Sequence, residues 1–179
     1  MLSIESIKAL KRLKEEFKDI CSNSMTAMSP NVSLINENNI FEWGITLFGP
    51  KDTPYIKGIF DLKVIFKKNY PISAPIIYFI TPIYHVDVNP YKSDFEPLGF
   101  PAIEKLFYWK PEYTMREIIL DLFSLFYVAS GKHPYGLDRN EEFRKNKELY
   151  KKKIEFFTKK YAYPTEKINK DKFIPSEKS

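Results

Sequence analysis

The sequence GPKDTPY, at residues 49–55, decides the fold assignment. GIF follows at residues 58–60, YP at residues 70–71 and PIYH at residues 82–85. WKP, at residues 109–111, completes the series. Each piece is unspecific when taken alone, so the assignment depends on their common order and spacing.

Four strands are predicted around these pieces, at residues 32–35, 40–48, 59–66 and 76–80. In the second strand, Trp43, Ile45 and Leu47 alternate toward one side, which is typical of a half-buried strand. The connections between consecutive strands suit an antiparallel meander. The helix predicted before them, at residues 3–20, has apolar residues at steps of three and four.

The chain after the strands is predicted to be a long loop followed by helices. Residues 81–113 show little periodicity, and loops of that length are usually functional or packed by their own side chains. Thr114 and Glu117 form a predicted capping box. The helix that they open is apolar nearly all round, so we expect a central helix that is buried on every side and stops at Gly131.

A second capping box is predicted at residues 138–141, and apolar residues from Phe143 to Tyr161 indicate C-terminal helices with one buried face. The predicted class is therefore α+β, with one layer of helices on an antiparallel sheet. We expect one domain, residues 1–162, and a lysine-rich, disordered tail, residues 163–179.

Together these pieces resemble the ubiquitin-conjugating enzyme (UBC) fold from its second strand to its crossover helix. The resemblance spans roughly residues 4–161 and implies an enzyme that holds ubiquitin as a thioester on one cysteine. This chain has a single cysteine, Cys21, which lies far upstream of the segment where the family carries its nucleophile.

The positions that match the family's site are degenerate. His85 matches the histidine of the family's His-Pro-Asn segment, but Val86 replaces the proline and Asp87 stands where the asparagine donates toward the oxyanion. Counting back from the tryptophan places Pro101 in the cysteine slot, whereas matching the stretch after it places Ala102 there. We therefore predict that the protein is not an enzyme and that His85 supports its loop.

The resemblance leaves several functions open. The favoured one is a protein–protein interaction adaptor like the fused-toes group, which works with Hook-type coiled-coil proteins in vesicle trafficking. That group carries a Val-Asp-Pro-like stretch after its histidine, where this chain has Val88-Asn89-Pro90. One alternative is an accessory subunit that binds ubiquitin or an active conjugating enzyme. Another is an active enzyme whose cysteine was replaced by Ala102.

Composition limits the classes of partner and ligand that we expect. The net charge is +5, but no nucleic-acid motif accompanies it, so we expect protein partners and no nucleic acid. We also expect no integral membrane segment, no metal, no cofactor and a cytoplasmic location, since no long apolar run, secretory signal or cysteine-histidine cluster is visible. Aromatic residues of the long loop are the candidate partner surface: Tyr91, Phe95, Phe100, Phe107 and Tyr108.

Overall fold

The computed structural model describes residues 3–22, 30–91, 93 and 96–164, and its elements follow the predicted order. They are α1 (Ile4–Ser22), β1 (Asn31–Leu34), β2 (Glu42–Phe48), β3 (Ile59–Ile65), β4 (Ile76–Phe79), α2 (Glu104–Phe107), α3 (Met115–Ser124), α4 (Leu137–Lys145) and α5 (Lys147–Phe157), with a π-helical turn at Thr158–Ala162. The predicted α+β class with its antiparallel meander is confirmed. The short helix α2, inside the long loop, was not predicted.

The sheet has the strand order β1-β2-β3-β4, and each neighbouring pair is antiparallel. Trp43 of β2 pairs with Val64 of β3, and Leu62 of β3 pairs with Phe79 of β4. The inward residues of β2 and β3 form one buried cluster with apolar residues of α1 and α3. Phe17 of α1 meets Trp43 edge-on at 5.2 Å between ring centres, so α1 packs directly on β2.

The sequence pieces that predicted the fold meet in space. The Tyr55 hydroxyl donates a hydrogen bond of 3.0 Å to the Tyr84 carbonyl, which joins the segment after β2 to the segment after β4. The Trp109 indole N–H donates to the Pro71 carbonyl at 2.7 Å. These contacts connect segments that are distant in sequence, and they fix the position of the long loop on the sheet.

Glu16 connects three parts of the fold although it is a buried carboxylate. It accepts hydrogen bonds from the Met115 backbone N–H at 2.6 Å and from the Tyr70 hydroxyl at 3.0 Å, and it pairs with Arg12 one turn earlier in α1. Because a buried charge must be paired and hydrogen-bonded, these donors are what permit a carboxylate at this position. They tie α1 to the start of α3 and to the loop after β3.

The helix α3 begins as predicted, and its capping box is confirmed. The Glu117 N–H donates to the Thr114 hydroxyl, and the Glu117 carboxylate accepts from the Thr114 N–H. The helix ends at Ser124, so the predicted stop at Gly131 is wrong. The carbonyl of Leu125 accepts a hydrogen bond from His85, and the following backbone tightens into turns.

The expectation that α3 is buried on every side is also wrong. Ile118, Ile119 and Leu122 are fully buried, but Leu120 on the opposite side is 51% exposed and Val128, just beyond the helix, is 66% exposed. The sheet lies on one side of α3 only. The apolar character of its other face is therefore unexplained by packing within the described part of the chain.

The helix α4 starts at Leu137, and the predicted capping box at residues 138–141 is wrong. Gly136 is the N-cap, with a φ of 80° and no side-chain cap. The Asn140 N–H already donates to the Gly136 carbonyl at 3.1 Å, so Asp138 lies within the first turn. Gly136, with its positive φ, sets the direction in which the chain enters α4. A capping side chain at Asp138 would therefore find no unpaired backbone N–H to accept from.

The predicted inner face of the C-terminal helices is present in α5, where Tyr150 and Ile154 are buried. Tyr161 was predicted on the same face but is 41% exposed. It lies in the π-helical turn, where the wider spacing rotates residues relative to the α-helical pattern. Of the predicted tail, only Tyr163 and Pro164 lie within the described residues, so its disorder stays a prediction.

Candidate functional site

Ala102 lines an open groove of about 640 Å³ between α2, the end of α3 and the loop after it. This Ala102 groove is lined by residues that include Lys105, Tyr108, Asp121, Val128 and His133. Pro101 is not among its lining residues and instead forms an antiparallel bridge with Val88. Of the two positions that sequence matching offers for the nucleophile, Ala102 is the one that reaches the groove.

The groove carries paired charges around an apolar floor. Lys105 donates to Asp121 at 2.9 Å, and this hydrogen bond raises the pKa of Lys105. Lys132 lies 3.9 Å from Glu104 at the other side. His133 packs against Phe107 with 5.1 Å between ring centres. Among the described residues, no group of three or more metal-binding side chains is found.

Cys21 does not belong to this groove. It lies on the last turn of α1, exposed, with its sulfur 4.0 Å from the Val32 carbonyl oxygen in β1. Partial burial raises the pKa of its thiol, which reduces the thiolate fraction that a nucleophile needs. The lining residues of the groove therefore include no sulfur nucleophile.

His85 is buried and uses both ring nitrogens to hold the backbone. Nε2 lies 3.0 Å from the Leu125 carbonyl oxygen, and Nδ1 accepts a 3.0 Å hydrogen bond from the Asp87 N–H. These partners require a neutral ring with its proton on Nε2. Burial lowers the pKa of His85, against the opposing effect of the Asp87 carboxylate. The histidine therefore fixes the loop to the end of α3.

Asp87 is fully buried and points away from the free volume of the groove toward the loop after α3. Its carboxylate accepts from the Ser130 N–H at 2.6 Å and from the Gly131 N–H at 2.9 Å. Its own carbonyl accepts from the Ala102 N–H at 2.7 Å. Asp87 thus connects the Ala102 segment to the loop at residues 130–131, and Gly131 serves as a hydrogen-bond donor here.

Three residues after α3 hold the His85 segment from the other side, a role that the sequence did not predict for them. The Tyr150 hydroxyl accepts from the Val86 N–H at 2.8 Å, and the Tyr135 N–H donates to the Val86 carbonyl at 2.7 Å. Arg139 lies within 3.4 Å of the His85 carbonyl oxygen and stacks on the ring of Tyr84. No local pattern identifies these residues, because each contact joins positions about 50 or more residues apart.

The candidate partner surface is divided by the structure. Tyr108 is 65% exposed and lines the Ala102 groove. Phe107 and the half-buried Phe100 form an edge-on pair with 5.7 Å between ring centres. Tyr91, also exposed, lies apart from them beside Gly136 at the start of α4. Phe95 is outside the described residues. These aromatic residues therefore do not form one continuous patch among those described.

Within the described ranges, no helix has the length and apolar character needed to cross a bilayer. Comparison with known proteins agrees with the fold. The crystal structure of a Plasmodium yoelii protein assigned to the ubiquitin-conjugating enzymes is similar, with a TM-score of 0.75 and 27% sequence identity. That alignment covers 88% of this chain and 97% of the other.

Sequence relatives point the same way. Ubiquitin-conjugating enzyme E2 13 of Arabidopsis thaliana is 30% identical over 151 residues, which cover 79% of this chain and 89% of the relative. Ubiquitin-conjugating enzyme E2 15 of Schizosaccharomyces pombe is 30% identical over 149 residues, with 79% and 88% covered. The family model described as ubiquitin-conjugating enzyme matches residues 12–158. The chain therefore belongs to the ubiquitin-conjugating enzyme family.

Proposed function

We propose that this protein is a non-catalytic member of its family and acts by binding other proteins. The observation that carries the proposal is that Ala102, one of the two positions that sequence matching offers for the nucleophile, lines the groove. A thioester requires a thiolate, and neither Ala102 nor Pro101 supplies a sulfur or a hydroxyl.

The role of Asp87 supports the same conclusion. An ionised carboxylate only accepts hydrogen bonds, so it cannot donate to an oxyanion as the asparagine amide of the family does. Both carboxylate oxygens are already engaged by the backbone of Ser130 and Gly131. Loss of one oxyanion donor typically costs about 10²–10³ in rate. The substitution Ala102→Cys would therefore supply a thiol but still leave residue 87 unable to donate to the oxyanion.

The rim of the Ala102 groove supports a binding role. Tyr108 and Val128 both line the groove with about two thirds of their surface exposed, and Leu120 lies half exposed on the outer face of α3. Exposed apolar residues around a groove are typical of surfaces that receive a partner helix or peptide. We propose that this rim is where the protein partner docks.

The kind of partner follows from the resemblance to the fused-toes group, which works with Hook-type coiled-coil proteins in vesicle trafficking. The helices α4 and α5 fit that group, because the short non-catalytic variants of the family typically lack the last helices. A cytoplasmic adaptor that binds a coiled coil is therefore the favoured function. The second candidate is an accessory subunit that binds ubiquitin or an active conjugating enzyme, which membership of this family favours.

A charging reaction tests the absence of catalysis. The full chain, a Cys21→Ser variant and an Ala102→Cys variant in that background are incubated with activating enzyme, ATP and ubiquitin. We expect no reducible ubiquitin adduct on the full chain or on Cys21→Ser, and slow charging at most on the Ala102→Cys variant. Rapid charging and discharge by that variant would support the alternative of an active enzyme whose cysteine was replaced.

A pull-down from native lysate with the full chain as bait tests the adaptor role. We expect Hook-type coiled-coil proteins to be captured, and we expect Val128→Asp to abolish the capture. Leu137→Asp is the matched control, because Leu137 is an 87% exposed apolar residue on α4, away from the groove. Capture of ubiquitin or a conjugating enzyme instead would overturn the adaptor role in favour of the accessory subunit.

A further inference from the structure

The outer face of α5 combines lysines with exposed apolar side chains. Its inner face, with Tyr150 and Ile154, packs on the domain. The opposite side presents a set that we call the basic face, which extends through the π-helical turn and consists of Leu149, Lys152, Phe156, Lys159 and Lys160. Helical spacing places these residues on one side of the helix.

The lysines of the basic face have no acidic partner within the described part of the chain. Lys152, Lys159 and Lys160 take part in none of the ion pairs found there, whereas the neighbouring Lys153 pairs with Glu142. The side chain of Lys160 lies over the rings of Phe156 and Tyr161, at 5.7 Å and 4.9 Å. The positive charge of this face is therefore available to an external anion.

Phe156 distinguishes the basic face from an ordinary solvated helix face. Its ring is 58% exposed between lysines one turn before and one turn after it, and Leu149 is 39% exposed two turns earlier. The outer face of α1 is also rich in lysine, but Lys11 pairs with Glu15 there, whereas Glu148 and Glu155 of α5 form none of the ion pairs found among the described residues. Lysines around exposed aromatic and aliphatic side chains are typical of helices that lie in a membrane interface.

A shallow groove beside α5 carries a small excess of positive charge. Lys51, Lys151 and Lys159 line it together with Asp52 and Glu155, and Ile56 in that groove is 38% exposed. An anionic surface that is broad and fluid can contact lysines on both elements while the apolar side chains enter its outer layer. A nucleic acid offers the charge but no apolar layer for Leu149 and Ile56.

We propose that the basic face of α5 binds the surface of a membrane that contains anionic phospholipid. The contact is peripheral, with Phe156 and Leu149 at the level of the headgroups and the lysines against the lipid phosphates and carboxylates. It does not depend on the adaptor role or on the missing thiol, because no residue of the basic face lines the Ala102 groove.

Vesicle sedimentation tests the proposal with the full chain. We expect binding to phosphatidylcholine vesicles that contain roughly one third phosphatidylserine, and none to phosphatidylcholine alone. High salt should release the protein, because surface attraction is screened within a Debye length. The variant Lys152→Glu/Lys159→Glu/Lys160→Glu should lower the partition coefficient at least about tenfold.

Two further variants make the result specific. Phe156→Ser should weaken vesicle binding while it leaves the net charge unchanged. Lys8→Glu/Lys11→Glu/Lys14→Glu is the matched control on the exposed side of α1, and it should bind vesicles nearly as well as the full chain. Circular dichroism confirms that each variant is folded.

Three results would overturn the proposal. The first is equal loss of vesicle binding in the α1 and α5 lysine variants, which would indicate a general effect of net charge. The second is vesicle binding by Phe156→Ser at full strength. The third is tighter binding of an unstructured RNA than of anionic vesicles by the full chain, with the α5 lysines responsible, which would identify a nucleic-acid surface.

Discussion

The substitution Asp87→Asn should destabilise the protein, although the resemblance to the family implies an asparagine at this position. The Asp87 carboxylate is fully buried and accepts from the Ser130 N–H at 2.6 Å and from the Gly131 N–H at 2.9 Å. An asparagine has one acceptor oxygen, so its amide nitrogen would face one of these two donors.

The size of the effect follows from the bonds that are lost. A hydrogen bond to a charged group contributes about 1.5–3 kcal/mol, and one backbone N–H would remain buried without an acceptor. We therefore expect the free energy of unfolding to fall by about 2–3 kcal/mol. For a chain of 179 residues, this corresponds to a decrease in Tm of about 5–10 °C.

Urea unfolding followed by tryptophan fluorescence measures this change, and hydrogen exchange at Ser130 and Gly131 locates it. Asp52→Asn is the matched control, because Asp52 is exposed and should change stability little. If Asp87→Asn proved as stable as the wild type or more so, desolvation of the carboxylate would outweigh its hydrogen bonds, and its role as an anchor would be refuted.

Three further changes test the contacts around the site. Tyr150→Phe should lower the free energy of unfolding by about 1–3 kcal/mol, because the buried Val86 N–H loses its acceptor. Glu16→Gln should lower the free energy of unfolding by a similar amount, because the Met115 N–H and the Tyr70 hydroxyl would then face a neutral amide instead of a carboxylate. Stability should also decrease by up to about 1.4 kcal/mol per pH unit as the pH falls below 6.5, because the unfolded state takes up a proton that buried His85 does not. His85→Gln should flatten this decrease, as urea titrations at several pH values will show.

Exposed tyrosine and glutamate residues provide the matched controls for these changes. Tyr161→Phe and Glu15→Gln should each leave the free energy of unfolding within about 0.5 kcal/mol of the wild type. If Tyr150→Phe were as stable as the wild type, the Val86 N–H must have found another acceptor. Stability that is independent of pH between about 6.5 and 5 would contradict the assignment of a neutral buried histidine.

Local sequence patterns were sufficient where one element determines its own geometry. The alternation of Trp43, Ile45 and Leu47 gave the inner face of β2, and the Thr114 capping box gave the start of α3. The patterns failed where a distant contact changes the backbone. Beyond the end of α3, for example, the Leu125 carbonyl accepts from His85, about 40 residues earlier in the chain, and the backbone forms turns.

The same limit applied to the site. Matching the sequence left both Pro101 and Ala102 open, because counting back from Trp109 and matching the stretch after the cysteine slot give positions one residue apart. In the structure Ala102 lines the groove and Pro101 pairs with Val88, and a pairing of that kind has no local signature. The contacts of Arg139 and Tyr150 with this segment could not be predicted for the same reason, because both side chains bind backbone atoms, which every residue has.

The contacts of Tyr150, Tyr135 and Arg139 with the His85 segment affect how its backbone amides exchange with solvent. Amide hydrogens of an irregular loop ordinarily exchange with solvent through small local fluctuations. The Val86 amide donates to the Tyr150 hydroxyl of α5, so we expect its exchange to require that this contact open. We therefore expect the exchange of this loop amide to depend on how firmly α5 is held. A molecule that bound the outside of α5 would slow exchange at Val86, on the far side of the helix, without contacting it.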